Sequence, residues 1–140
     1  MPLDPRHIEA LLTAARTAAG LAYAPYSHIH VGAALLCDDG TIVQGANMEN
    51  RSYGLTVCAE RTALFRALLE GRRAFTALAI YSPDVPTLLT PCGACRQVLS
   101  EFLPPETPIV CHDPEGEPRV FTLGELYPHD SLRHLNPQAP

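Results

Sequence analysis

The sequence predicts an α/β protein in three layers, with helices on both faces of a mixed five-stranded sheet whose last two strands run antiparallel. Three observations predict it. Helix-like and strand-like segments alternate along the chain, separated by Gly, Pro and Asp turn signals. The 140 residues are 46% hydrophobic and 18% charged, which suits one globular domain with a sizeable core. The last two strand-like runs flank Asp113-Pro114-Glu115-Gly116, a link too short for a parallel crossover.

The elements follow in order. Asp4 is placed to cap a first helix with Pro5 at its first position. Ile8, Leu11, Leu12, Ala15 and Ala19 form its apolar stripe, and Gly20 is the expected stop. After a loop through Ala24-Pro25-Tyr26-Ser27, strands are expected over Ile29–Cys37 and Thr41–Ala46, joined by the hairpin signal Asp38-Asp39-Gly40. Asn47–Val57 reads as polar loop. Cys58–Leu69 reads as a helix with Ala63, Leu64, Ala67 and Leu68 facing the core, and Phe75–Tyr81 as a strand. Pro83-Asp84-Val85-Pro86 breaks the chain before a third helix, Cys92–Phe102, ended by Pro104-Pro105. Ile109–His112 and Arg119–Thr122 are the closing strands, and Thr122-Leu123-Gly124-Glu125 is a capping box opening a short helix. No repeat or linker divides the chain, so residues 1–140 are expected to form one domain, with about 129–140 as a polar tail.

Net charge is −5 and the basic residues are scattered, with no run longer than Arg72-Arg73, which argues against a nucleic-acid partner. No apolar run approaches a membrane span, and Met1-Pro2-Leu3-Asp4-Pro5 lacks the charged-then-apolar order of a signal peptide. Five cysteines, an odd number, do not suggest a disulfide framework and fit a reducing cytoplasm.

Chemistry concentrates in Val57-Cys58-Ala59-Glu60-Arg61 and Thr90-Pro91-Cys92-Gly93-Ala94-Cys95. Cys92 and Cys95, three apart at a helix start, share a face, and Cys58 opens its own helix. Helix N-termini lower thiol pKa values and favour the thiolates that metals bind. Three protein ligands leave tetrahedral zinc one open position, as catalytic sites require, whereas structural sites close with four. Three thiolates against a 2+ ion leave a formal charge of −1, which two helix dipoles and Arg61 or Arg96 are positioned to offset. Cys37 and Cys111, in strands, read as small buried hydrophobes. Glu60, two residues after Cys58, can exchange a proton with a water on the metal without coordinating it. The plainer reading makes Glu60 an exposed first-turn carboxylate favoured by the helix dipole.

The pattern C-x-E followed by P-C-x-x-C is that of nucleobase and nucleoside deaminases, with Cys in place of His as first ligand. From about Leu12 to Pro128 the chain resembles the small homotetrameric cytidine deaminases of pyrimidine salvage. Tyr23-Ala24-Pro25-Tyr26-Ser27, Val31-Gly32-Ala33-Ala34-Leu35-Leu36, Gly45-Ala46-Asn47-Met48-Glu49-Asn50, Cys58-Ala59-Glu60-Arg61-Thr62-Ala63 and Pro91 through Val98 carry the resemblance, and Glu125-Leu126-Tyr127-Pro128 resembles the family's closing Glu-Leu-Leu-Pro. The resemblance implies the cytidine-deaminase-like fold and one Zn²⁺ per chain on Cys58, Cys92 and Cys95. It makes Glu60 the residue that activates water and protonates the ring nitrogen, yielding uridine or deoxyuridine and ammonia. It assigns Asn47 and Glu49 to a ribose hydroxyl, the Ala59 backbone to the base, and Tyr53 to the neighbouring subunit's substrate in a composite site. Two positions depart from the family. Ile29 stands where an aromatic packs the base, and Ser131 stands where the closing segment places a Phe.

Other readings predict different things. A sister deaminase would act on another aminopyrimidine nucleoside or on a nucleoside antibiotic such as blasticidin S. A structural zinc module would need a fourth ligand, and no His has a matching spacing; His112 reads as a surface residue. A thiol redox protein would depend on Cys92 and Cys95 but not on Cys58. Outside the resemblance, Asn47-x-Glu49 is only a turn with solvated polar groups.

Overall fold

The computed structural model describes residues 3–140; Met1 and Pro2, the start of the stretch expected not to be a signal peptide, lie outside the described residues. Helix α1 (Pro5–Ala19) opens where expected, with the Asp4 carboxylate accepting from the Arg6 and His7 backbone N–H groups. Two strands follow, β1 (Gly32–Cys37) and β2 (Ile42–Ala46), turning at Gly40 with φ +88°. Helix α2 (Ala59–Leu69), strand β3 (Phe75–Tyr81) and helix α3 (Gly93–Ser100) come next. Strands β4 (Pro108–Cys111) and β5 (Arg119–Thr122) lead into the single turn α4 (Leu123–Leu126), which carries the expected capping box between Thr122 and Glu125.

The sheet order is β2-β1-β3-β4-β5. Only β3 and β4 are parallel, and the chain between them contains α3, the crossover that a parallel pair requires. The expected antiparallel closing pair is present, with Ile109 opposite Phe121. Alternation along the strands splits the core in two. Leu35, Leu78, Ile80, Ile109 and Cys111 pack against Ala63, Leu64, Ala67 and Leu99 on the α2/α3 face. Ala34, Ala77, Ala79 and Val110 pack against Leu11 and Ala15 of α1 on the other. The three-layer α/β architecture therefore matches the expectation.

Several boundaries differ, each for a tertiary reason. Residues 29–31 are not strand: the Asn47 side chain takes the Ile29 carbonyl and the Val31 N–H, so a side chain replaces the ladder and β1 starts at Gly32. The first helix stops at Gly20 in a right-handed conformation, φ −66°, so no left-handed glycine cap is used. It also buries Ala18, outside the predicted stripe, while Ile8 and Leu12 are only half-buried. The third helix ends at Ser100, before the two prolines, and the fourth strand is shifted one residue earlier than expected. His112 is not a free surface residue. It is half-buried, its ring centroid 4.3 Å from that of Tyr81, on whose ring Arg16 also lies. Burial and then the Arg16 charge lower its pKa.

Candidate metal centre

Cys58 and Cys92 are the N-cap residues of α2 and α3, and the two helix starts converge. One sulfur from each of Cys58, Cys92 and Cys95 lies within 4.8 Å of the others, and the Cys58 and Cys92 sulfurs are 3.6 Å apart. Cys92 Sγ also accepts from the Cys95 backbone N–H at 3.5 Å, a helix-cap contact that orients it toward the group. Among the described residues this is the only cluster of three or more His, Cys, Asp or Glu side chains with metal-ligand spacing, and it offers no fourth ligand. That count fits an open position and not a closed structural site.

The electrostatics prepare the group for a cation. Cys58 is pulled down to about 5, first by the hydrogen bond from Cys95 and further by Arg61, whose Nη2 donates to Cys58 Sγ at 3.4 Å. The same bond holds the Cys95 proton, pushing that thiol up. Arg61 loses some basicity to burial but gains more from the Cys58 and Cys95 sulfurs, so it stays charged. The donor set, three soft sulfurs beside one guanidinium, fits zinc with its excess negative charge offset. Arg96 plays no such part. It donates to the Pro91 carbonyl (2.7 Å), the Leu126 carbonyl (2.7 Å) and the Thr90 hydroxyl (3.1 Å), pinning the loop that precedes Cys92 to the end of α4.

Glu60 is only 4% exposed, so the reading as a solvated helix-face carboxylate fails. Burial pushes its carboxyl up to about 7, opposed by hydrogen bonding and reinforced by the Cys58 thiolate. A group poised there can take and return a proton near neutrality.

The close fit of α2 against the sheet depends on Gly45. A Cβ at that position would lie 2.3 Å from Ala63 N, 2.5 Å from Ala59 O and 2.6 Å from Thr62 Oγ1. The first turn of α2 therefore rests directly on β2, and Thr62 Oγ1 ties it to the Ala46 carbonyl at 2.8 Å. One residue later stands Asn47, 7% exposed and not a solvated turn residue. Its amide spends one donor and one acceptor on Ile29 and Val31 and keeps one of each.

Glu49, half-buried, grips the adjacent loop, accepting from the N–H groups of Tyr26 (3.0 Å) and Ser27 (3.2 Å) and from Ser27 Oγ (2.5 Å). The Ser27 hydroxyl bond is the main reason its pKa is lowered. Tyr26, Ser27, Glu49, Tyr53 and Thr56 line a pocket of about 330 Å³, within the range of small-molecule sites. Tyr53 is 73% exposed, its ring centroid 5.8 Å from that of Tyr26. Ile29 is 40% exposed, its backbone held by the Ser27 hydroxyl and the Asn47 amide. Tyr127, just beyond α4, donates its hydroxyl to Gln97 Oε1 of α3 at 2.7 Å. Sequence reasoning gave no role to Gly45, Thr62 or Ser27. These contacts span 14 to 22 positions of chain, and although all three residues stand in the segments that carry the family resemblance, nothing local shows what they touch.

Known proteins place this arrangement. Residues 5–111 match the family model described as the cytidine and deoxycytidylate deaminase zinc-binding region. A cytidine deaminase of Halalkalibacterium halodurans is 51% identical over 107 residues, 76% of this chain and 80% of that one. One from Sporosarcina psychrophila is 45% identical over 121 residues, 86% and 88% of the two chains. The crystal structure of cytidine deaminase from Burkholderia pseudomallei superposes with a TM-score of 0.81 at 48% identity, covering 86% of this chain and 95% of that one.

Proposed function

The chain belongs to the cytidine and deoxycytidylate deaminase family, and on that footing we propose that it hydrolyses cytidine and 2′-deoxycytidine to uridine and 2′-deoxyuridine with release of ammonia, in pyrimidine salvage. The observation that carries the reading is a buried Glu60 carboxyl at the start of the same helix whose cap, Cys58, joins a three-sulfur cluster lacking a fourth ligand. Cys58, Cys92 and Cys95 hold zinc, which when bound supplies Lewis acidity at one open coordination position.

The protein's own groups do the rest. Glu60, dry and near neutral pKa, removes a proton from the attacking water and delivers it to the ring nitrogen beside the amino-bearing carbon. The Ala59 backbone lies in the first turn of α2, where N–H groups lack helical partners, and so can donate to the base. Asn47 retains a donor and an acceptor, and Glu49 an acceptor, for a sugar hydroxyl. After the Cys95 hydrogen bond, Arg61, donating to the Cys58 sulfur, helps to keep it a thiolate.

The enzyme works in this reading as a single-domain chain in a homotetramer with composite sites, in the cytoplasm, on a free nucleoside and not on nucleic acid. Tyr53 on the pocket wall is 73% exposed, and it and the exposed Leu21, Tyr23 and Leu55 support a partner subunit. Thiols that must remain free for metal support a reducing compartment. Among the described residues no helix is long and apolar enough to cross a membrane.

The test is ultraviolet-monitored deamination of cytidine, deoxycytidine, cytosine, blasticidin S and adenosine. Turnover of the first two is expected. Failure on both overturns the reading, and turnover of blasticidin S instead moves the chain to the antibiotic branch, for which aliphatic Ile29 leaves room. Glu60→Gln is expected to keep its zinc and lose turnover by a factor of about 10²–10⁴.

A further inference from the structure

Glu49 is a carboxylate with about four lone-pair positions for hydrogen bonds. Three are filled from one short loop: Oε1 by the N–H groups of Tyr26 and Ser27, Oε2 by the Ser27 hydroxyl at 2.5 Å. The direction of the last bond is fixed. A carboxylate only accepts, and the Ser27 oxygen itself accepts from the Ile29 N–H at 3.0 Å, so its proton points at Glu49. His28, between them, is held at φ +59°, with its N–H on the Ala24 carbonyl at 3.1 Å. His is among the non-glycine residues that enter this left-handed region most readily, and the turn it makes accompanies a loop in which both serine groups reach one side chain.

We propose that Ser27 is a positioning residue for sugar recognition: its hydroxyl locks the Glu49 carboxylate so that a single Oε2 acceptor is left facing the pocket for a substrate hydroxyl. The proposal rests on the reading of Glu49 as a sugar contact. Without the Ser27 hydroxyl, Oε2 has two open acceptor positions and the carboxylate can rotate, so water competes with the sugar. The Ser27 backbone N–H remains, and the Ser27 side chain bonds to Glu49 and Ile29 and not to Glu60 or the cysteines, so the chemistry is spared.

The experiment measures kcat and KM of wild type, Ser27→Ala and Ser27→Thr on cytidine, 3′-deoxycytidine and 5′-deoxycytidine, with zinc per chain determined for each. Wild type is expected to lose at least about tenfold in kcat/KM on one deoxy substrate, which names the hydroxyl. Ser27→Ala is expected to raise KM for cytidine about tenfold, to hold kcat within about twofold, and to shrink the preference over that deoxy substrate toward unity. Ser27→Thr, which keeps a hydroxyl, restores the preference. Equal losses on all three substrates, or no loss on any, overturn the proposal while leaving Glu49 as a sugar contact. A wild-type enzyme that treats all three alike overturns the reading of Glu49, and the proposal with it.

Discussion

Replacing Gly45 with alanine puts a methyl group into the seat of α2. The added carbon would meet Ala63 N at 2.3 Å and Ala59 O at 2.5 Å, both backbone atoms. No rotamer change relieves such contacts, so the first turn of α2 must lift off β2. Overpacking a tight contact costs about 1–3 kcal/mol, and two backbone collisions place this one near the upper end. At about 2–4 °C per kcal/mol for a chain of this size, the melting temperature should fall by about 6–12 °C. The displaced turn carries Cys58 and Glu60 away from Cys92 and Cys95, so zinc per chain should fall and activity should drop more than about tenfold. Gly116→Ala is the control, because a Cβ there meets nothing within 4 Å. It should change stability by less than about 0.5 kcal/mol. Calorimetry at one fixed protein concentration, with zinc analysis, reads both. A Gly45→Ala protein that melts with wild type and binds full zinc would refute the claim that α2 is seated on this glycine.

Arg96→Lys leaves one ammonium where three acceptors, on Pro91, Leu126 and Thr90, share a planar fork. It should cost about 2 kcal/mol and speed protease cleavage after Leu126; unchanged cleavage would show that this anchor does not hold the C-terminal segment. Asp39 is held at about 2, below its ordinary 3.8, by hydrogen bonds led by that from Arg72 at 2.7 Å. A depressed carboxylate pKa adds stability that is full above 3.8 and lost as pH falls through 2. Asp39→Asn should therefore melt below wild type at neutral pH and converge with it near the folded-state value. Parallel curves across the acid range would remove the ion pair from the acid response.

Local signals carried much of the fold. Asp4-Pro5, Asp38-Asp39-Gly40 and the Thr122/Glu125 box act on neighbours within a few residues, and each element they open appears. The strand Phe75–Tyr81 and the short closing link were equally legible, because strand alternation and loop reach are properties of the chain itself. The errors lie where a distant side chain overrides local preference. Asn47 replaces the strand ladder at residues 29–31, and ring stacking on Tyr81 half-buries His112.

By itself the sequence determined which atoms meet a metal and which carboxylate stands beside it. Spacing of three at a helix start and a Cys two residues before Glu60 survive any tertiary arrangement, since they are set by helix geometry. Only the tertiary structure decided that Glu60 is dry, that Arg61 and not Arg96 attends the sulfurs, and that Ser27 and Glu49 form one unit. Burial, the Ser27–Glu49 bond across 22 positions and the Arg96–Leu126 bond across 30, which draws Arg96 away from the sulfurs and leaves them to nearby Arg61, depend on how the sheet brings segments together, and no local spacing encodes that.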